Sequence, residues 1–110
     1  MIIDTSDSAT IIKYDKNSLE NFFSEFSKKY VNFAENNLII DFSDFKGVKK
    51  ENILLFLQHS NSHKNNGMSF VFVIKEIEID NLPDEITLAP TVHEANDIIE
   101  MEIIEKEIGI

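Results

Sequence analysis

Two uninterrupted apolar runs, Leu38-Ile39-Ile40-Asp41-Phe42 and Phe70-Val71-Phe72-Val73-Ile74, constrain this chain more than any other feature. Neither alternates polar with apolar residues, so each suits a strand covered on both faces, as the strands of parallel sheets are. Between them, residues 49–64 place Ile53, Leu54, Phe56, Leu57 and Ser60 on one helical face. Asn65-Asn66-Gly67 then supplies a helix stop with glycine as the cap. Strand, helix and strand of this size form a βαβ unit with a right-handed crossover.

The flanking segments extend that unit. Met1-Ile2-Ile3 and Thr10-Ile11-Ile12-Lys13-Tyr14 read as two extended pieces joined by the turn-like Asp4-Thr5-Ser6-Asp7-Ser8, a hairpin. Asn17 with Glu20 has capping-box spacing. The stretch that follows, to about Ala34, sets Leu19, Phe22, Phe23, Phe26, Tyr30 and Phe33 at helical spacing, a core stripe. Lys75-Glu76-Ile77-Glu78-Ile79-Asp80 alternates and is expected to be extended with one wet face. After a turn at Asn81-Leu82-Pro83-Asp84, Ile86-Thr87-Leu88-Ala89 adds a short strand, and Thr91 caps a last helix of about residues 91–108. The expected order is β-β-α-β-α-β-β-α: one α/β domain over residues 1–110, with a mixed central sheet and packed helices. Its 110 residues, 43% of them hydrophobic, suffice for one core.

The net charge of −10 is unevenly placed. Residues 1–75 hold nine acidic residues and nine lysines, whereas residues 76–110 hold eleven acidic residues and only Lys106. All ten basic residues are Lys, so the chain lacks the guanidinium fork that reads phosphates and base edges, and its acidity repels a nucleic-acid backbone. Nucleic acid is therefore not an expected partner. The apolar runs are short of the roughly 20 residues of a membrane span, and Met1-Ile2-Ile3-Asp4 lacks the basic start of a signal peptide. With no Cys there is no disulfide framework. The expected setting is cytoplasmic, with no membrane contact.

The element order, with Leu38-Ile39-Ile40-Asp41-Phe42-Ser43-Asp44-Phe45 and Ile86-Thr87-Leu88-Ala89-Pro90-Thr91-Val92-His93-Glu94-Ala95, resembles the STAS domain of bacterial anti-sigma-factor antagonists. The first segment is similar to that family's strand ending in Asp and a small loop, the second to its closing strand and following helix. The resemblance implies a non-enzymatic, regulatory protein-interaction module. Phosphorylatable members carry an Asp-Ser pair at the start of the helix after the central strand. Here Lys49-Lys50-Glu51 stands in that place, and the nearest hydroxyl, Ser43, lies in the preceding loop. Pro90–Glu102 is also similar to a narrower group of small bacterial proteins called ribonuclease Z, which implies an association with tRNA processing. Ribonuclease Z nucleases hold two zinc ions with a His-x-His-x-Asp-His cluster. The histidines here, His59, His63 and His93, are not so arranged, so the alternative is an accessory without nuclease activity.

No catalytic or cofactor-binding residue is expected: Ser43 and Asp44 at a strand end lack a partnered His or second carboxylate. His59 and His63, four apart, share a helix face but make an incomplete metal set, so no metal is expected; His63 reads as a solvated helix end, and His93 as surface. Lys49 and Lys50 place positive charge at a helix N-terminus, against the macrodipole. Either they are simply solvated or, with Lys46, they dock an acidic partner surface. The last helix carries Val92, Ala95, Ile99 and Ile103 on one stripe and Met101, Ile104 and Ile108 on a second, roughly opposite. Either the helix bends or ends near Glu102 so that both are buried, or the second stripe is exposed and binds a protein partner or a second copy of the chain.

Overall fold

A computed structural model describes residues 1–15, 18–75 and 82–109. The hairpin forms as β1 (Ile2–Thr5) antiparallel to β2 (Thr10–Lys13), closed by the Ser6 N–H donating to the Ala9 carbonyl at 2.8 Å. The aromatic stripe becomes α1 (Leu19–Lys29), continued by a 3₁₀ turn over Tyr30–Asn32. Its cap is Ser18, whose side chain accepts from the Asn21 N–H at 3.1 Å; the expected cap at Asn17 lies outside the described residues. The two apolar runs are β3 (Leu38–Asp41) and β4 (Phe70–Val73), parallel to each other, and β2 is parallel to β3.

The helix expected across residues 49–64 is two helices, α2 (Lys50–Leu54) and α3 (Leu57–Asn65). The break is a local tightening, because the Phe56 N–H bonds the Ile53 carbonyl three residues back instead of continuing the four-residue ladder. At the end of α3, Gly67 takes φ +84°, its N–H bonds the Lys64 carbonyl, and the Met68 N–H bonds the His63 carbonyl. That is a Schellman stop, which needs the left-handed backbone glycine provides. The extended stretch expected at Glu76–Asp80 lies outside the described residues. The turn before the last strand closes with the Ile86 N–H on the Pro83 carbonyl at 3.0 Å. β5 (Thr87–Ala89) follows, parallel to β4, and then α4 (Val92–Glu107).

The result is a single α/β domain built on a five-stranded mixed sheet in the order β1-β2-β3-β4-β5. Strand alternation divides its two faces by size. Ile12, Leu38, Ile40, Phe42, Phe70, Phe72 and Ile74 point toward α1–α3, where Phe22, Phe26, Phe33, Ile53 and Phe56 complete an aromatic-rich core. Ile39, Val71, Val73 and Ala89 point the other way, against Ala95 and Ile99 of α4. Both faces of β3 and β4 are thus covered, which is why neither strand alternates. Large rings fill the side with three helices, while small and β-branched residues let one helix cover the other.

Candidate functional site

α4 is one continuous helix. Thr91 Oγ1 accepts from the Glu94 N–H at 3.1 Å to start it, and at its far end the Gly109 N–H bonds the Lys106 carbonyl with Gly109 at φ +74°. There is no break at Glu102. Instead the Glu102 carboxylate accepts from Ser69 Oγ at 2.6 Å, and the Lys106 ammonium donates to the Gly67 carbonyl. These contacts pin the last turns of α4 to the connection between α3 and β4. The side toward the sheet carries Ala95 and Ile99, fully buried, flanked by Val92, Ile98 and Ile103.

The second stripe therefore stays outside. Met101, Ile104 and Ile108 are 57%, 51% and 62% exposed on a helix whose other face is packed. Asp97 and Glu94 continue their line one and two turns earlier, and Glu100, Glu105 and Glu107 border it, all exposed. Of these, Glu100 is engaged by Ser8 Oγ at 3.2 Å and Asp97 lies 3.6 Å from the exposed His93.

Lys46 and Lys49 are exposed and Lys50 is half-buried, on the connection from β3 into α2 at the carboxyl end of the sheet. None of the three forms an ion pair among the described residues, whereas the neighbouring Asp44 is paired with Lys13 at 3.1 Å. Lys49 is the N-cap of α2, but its ammonium has no lone pair to offer the helix N–H groups. What caps the turn is Asn52 Oδ1, which accepts from the Lys49 N–H at 2.7 Å. Ser43 is held by its N–H on Asp41 Oδ1 at 2.9 Å, and Asp41 is buried. Among the described strands the order runs without a reversal, so these strands make no switch-point crevice of the kind that holds ligands in doubly wound sheets. The lysines lie at the carboxyl end beside α1–α3, whereas the α4 stripe lies on the opposite face, near the amino end of β4. The two candidate surfaces are separate.

His63 departs from expectation. It is fully buried rather than a solvated helix end, because Tyr30 and Phe70 cover it. The Tyr30 hydroxyl lies 2.6 Å from Nδ1, and Nε2 lies 2.6 Å from the Asn36 carbonyl. Burial lowers its pKa from the ordinary imidazole value, partly offset by the Asn36 bond. His59 Nε2 meets Ser27 Oγ at 3.1 Å, and burial lowers its pKa too. With both nitrogens of His63 engaged, the pair is a structural link between α3 and the end of α1 and is not available to a metal. Among the described residues no group of three or more His, Asp or Glu is placed to hold a metal ion, and no helix is long and apolar enough to cross a membrane. An open recess of about 320 Å³ lies at the amino end of β2, lined by the β1–β2 turn, Glu35, Asn36, Asn37 and Met68. Its amides are already spent on Thr10 and Ser8.

No family model matches the chain, and no curated protein matches it either.

Proposed function

We propose that this chain is a non-enzymatic, regulatory protein-docking module, working in the manner of an anti-sigma-factor antagonist, with the outer face of α4 as its principal contact. The observation that carries the reading is the exposure of Met101, Ile104 and Ile108 on a helix that is continuous, capped at both ends and pinned to the body of the domain. A water-facing apolar stripe on an otherwise satisfied element marks a contact surface. Lys46, Lys49 and Lys50, without an ion pair among the described residues, support a second contact with an acidic surface, since a charge placed against a helix dipole is retained at some cost. The sequence resemblance to STAS domains favours the regulatory class. Lys49-Lys50-Glu51 in place of the Asp-Ser pair favours docking without a phosphorylation switch on that helix. The lack of cysteine fits a cytoplasmic setting, and the net charge of −10 disfavours nucleic acid.

A photo-crosslinking side chain at Met101, compared with one at the exposed Glu20 of α1 on the other side of the sheet, tests this in cells. The expected result is one defined protein adduct from position 101 alone, re-formed from the two purified components. Adducts that are equal from both positions, or absent from both, would overturn the reading. Recovery of a ribonuclease Z enzyme in that adduct would favour the accessory role that Pro90–Glu102 suggests.

A further inference from the structure

Resting on the docking reading above, we infer that the α4 face takes a cationic amphipathic helix from another protein. Met101, Ile104 and Ile108 stand at i, i+3 and i+7, a single row about 10 Å long on the helix surface. Met101 and Ile104 lie inside α4 and the Ile108 N–H bonds the Ile104 carbonyl, so an incoming strand would find no ladder to extend. A helix laying its own apolar row along this one is the geometry that remains.

Charge selects among helices. Glu94, Asp97, Glu100, Glu105 and Glu107 surround the row and are all exposed. The one lysine of α4, Lys106, is drawn away onto the Gly67 carbonyl, and His93 lies at the helix start beside Asp97. The rim therefore has a single sign. A second copy packed on the same face would set these carboxylates against their own counterparts, because a two-fold contact repeats one patch on both sides. A partner with Lys or Arg flanking an apolar row satisfies both features, gaining encounter rate and specificity from the rim and holding power from the row.

The experiment titrates the full chain, by fluorescence anisotropy, with three designed helical peptides. One has a Leu row flanked by Lys, one the same row flanked by Glu, and one the Lys flanks with the row changed to Ser. Saturable binding of the first alone is expected, weakened about tenfold or more by Ile104→Ser with Ile108→Ser, and weakened again between about 0.05 and 0.5 M salt. Both residues are exposed, so the variant keeps the wild-type circular dichroism and melting point. Equal binding of the Ser-row peptide would reduce the effect to bulk charge and overturn the inference. Binding of the Glu-flanked peptide at the same face would overturn the cationic class while leaving the docking reading intact. Concentration-dependent dimerisation through this face, seen in sedimentation, would make the occupant a second copy and overturn it as well. If no peptide binds and the Met101 crosslink is also absent, both readings fall.

Discussion

Tyr30 and His63, 33 residues apart in the chain, meet in a 2.6 Å hydrogen bond that ties the end of α1 to α3. The geometry sets the tautomer. The Asn36 carbonyl is only an acceptor, so His63 Nε2 carries the proton and donates to it, leaving Nδ1 to accept from the Tyr30 hydroxyl. Tyr30→Phe removes that donor and leaves a buried nitrogen unpaired, at an expected cost of about 1–3 kcal/mol. Urea unfolding of the variant checks this. An unchanged midpoint would mean that the hydroxyl does not serve the ring.

Protonation of His63 follows from the same burial. Its pKa lies below the ordinary 6.5, so as pH falls through that value the unfolded chain takes the proton before the folded one does. The contribution of this histidine to stability is complete above about pH 6.5. It declines as pH falls from there toward the lowered folded value. NMR of the ring nitrogens is expected to show the neutral Nε2–H form persisting to lower pH in the folded protein than in the urea-unfolded chain. A folded His63 ring that takes its second proton at the same pH as the unfolded one, or at a higher pH, would contradict it.

Phe56 sits at the junction of α2 and α3 with no exposure, against the rings of Phe22, Phe23, Phe26, Phe42 and Phe72. Phe56→Ala opens a cavity where the aromatic layer is thickest and should cost about 3–5 kcal/mol. A loss under about 1 kcal/mol in denaturant titration would show that the layer collapses around the gap.

Lys49 offers the opposite sign. Lys49→Ser gives α2 a side chain that accepts from its first N–H groups and removes a cation from the positive end of the helix, an expected gain of about 1 kcal/mol. A clear loss in the same titration would reveal a structural ion pair for this residue.

Side-chain spacing carried much of this fold, and its failures have identifiable physical causes. The runs at Leu38–Phe42 and Phe70–Ile74 were legible because both faces of β3 and β4 are buried, and the Phe22 and Phe26 stripe because α1 packs along one line. The split between α2 and α3 was not, since no Gly or Pro marks it and the tightening at Phe56 is a matter of backbone bonding alone. His63 was misread because its sequence neighbours Ser62 and Lys64 are polar. What buries it is Tyr30 and Phe70, which only the tertiary packing brings near. At α4 the two stripes could be read, but whether the second was covered depended on the helix running past Glu102, as it does in one unbroken element from Val92 to Glu107. The lysine cluster was placed correctly at a strand's carboxyl end, yet nothing in the spacing showed that it would lie far from the α4 stripe.

The role proposed for the outer row of α4 is binding and not folding. The most direct measurement is made on the variant Met101→Ser, Ile104→Ser, Ile108→Ser, comparing its unfolding midpoint with the wild type and its affinity for the purified protein crosslinked at position 101. A stability change within about 0.5 kcal/mol is expected, as for exposed positions, together with at least about a tenfold weaker complex. Unchanged affinity, or a stability loss of several kcal/mol from residues that ought to be in water, would contradict it.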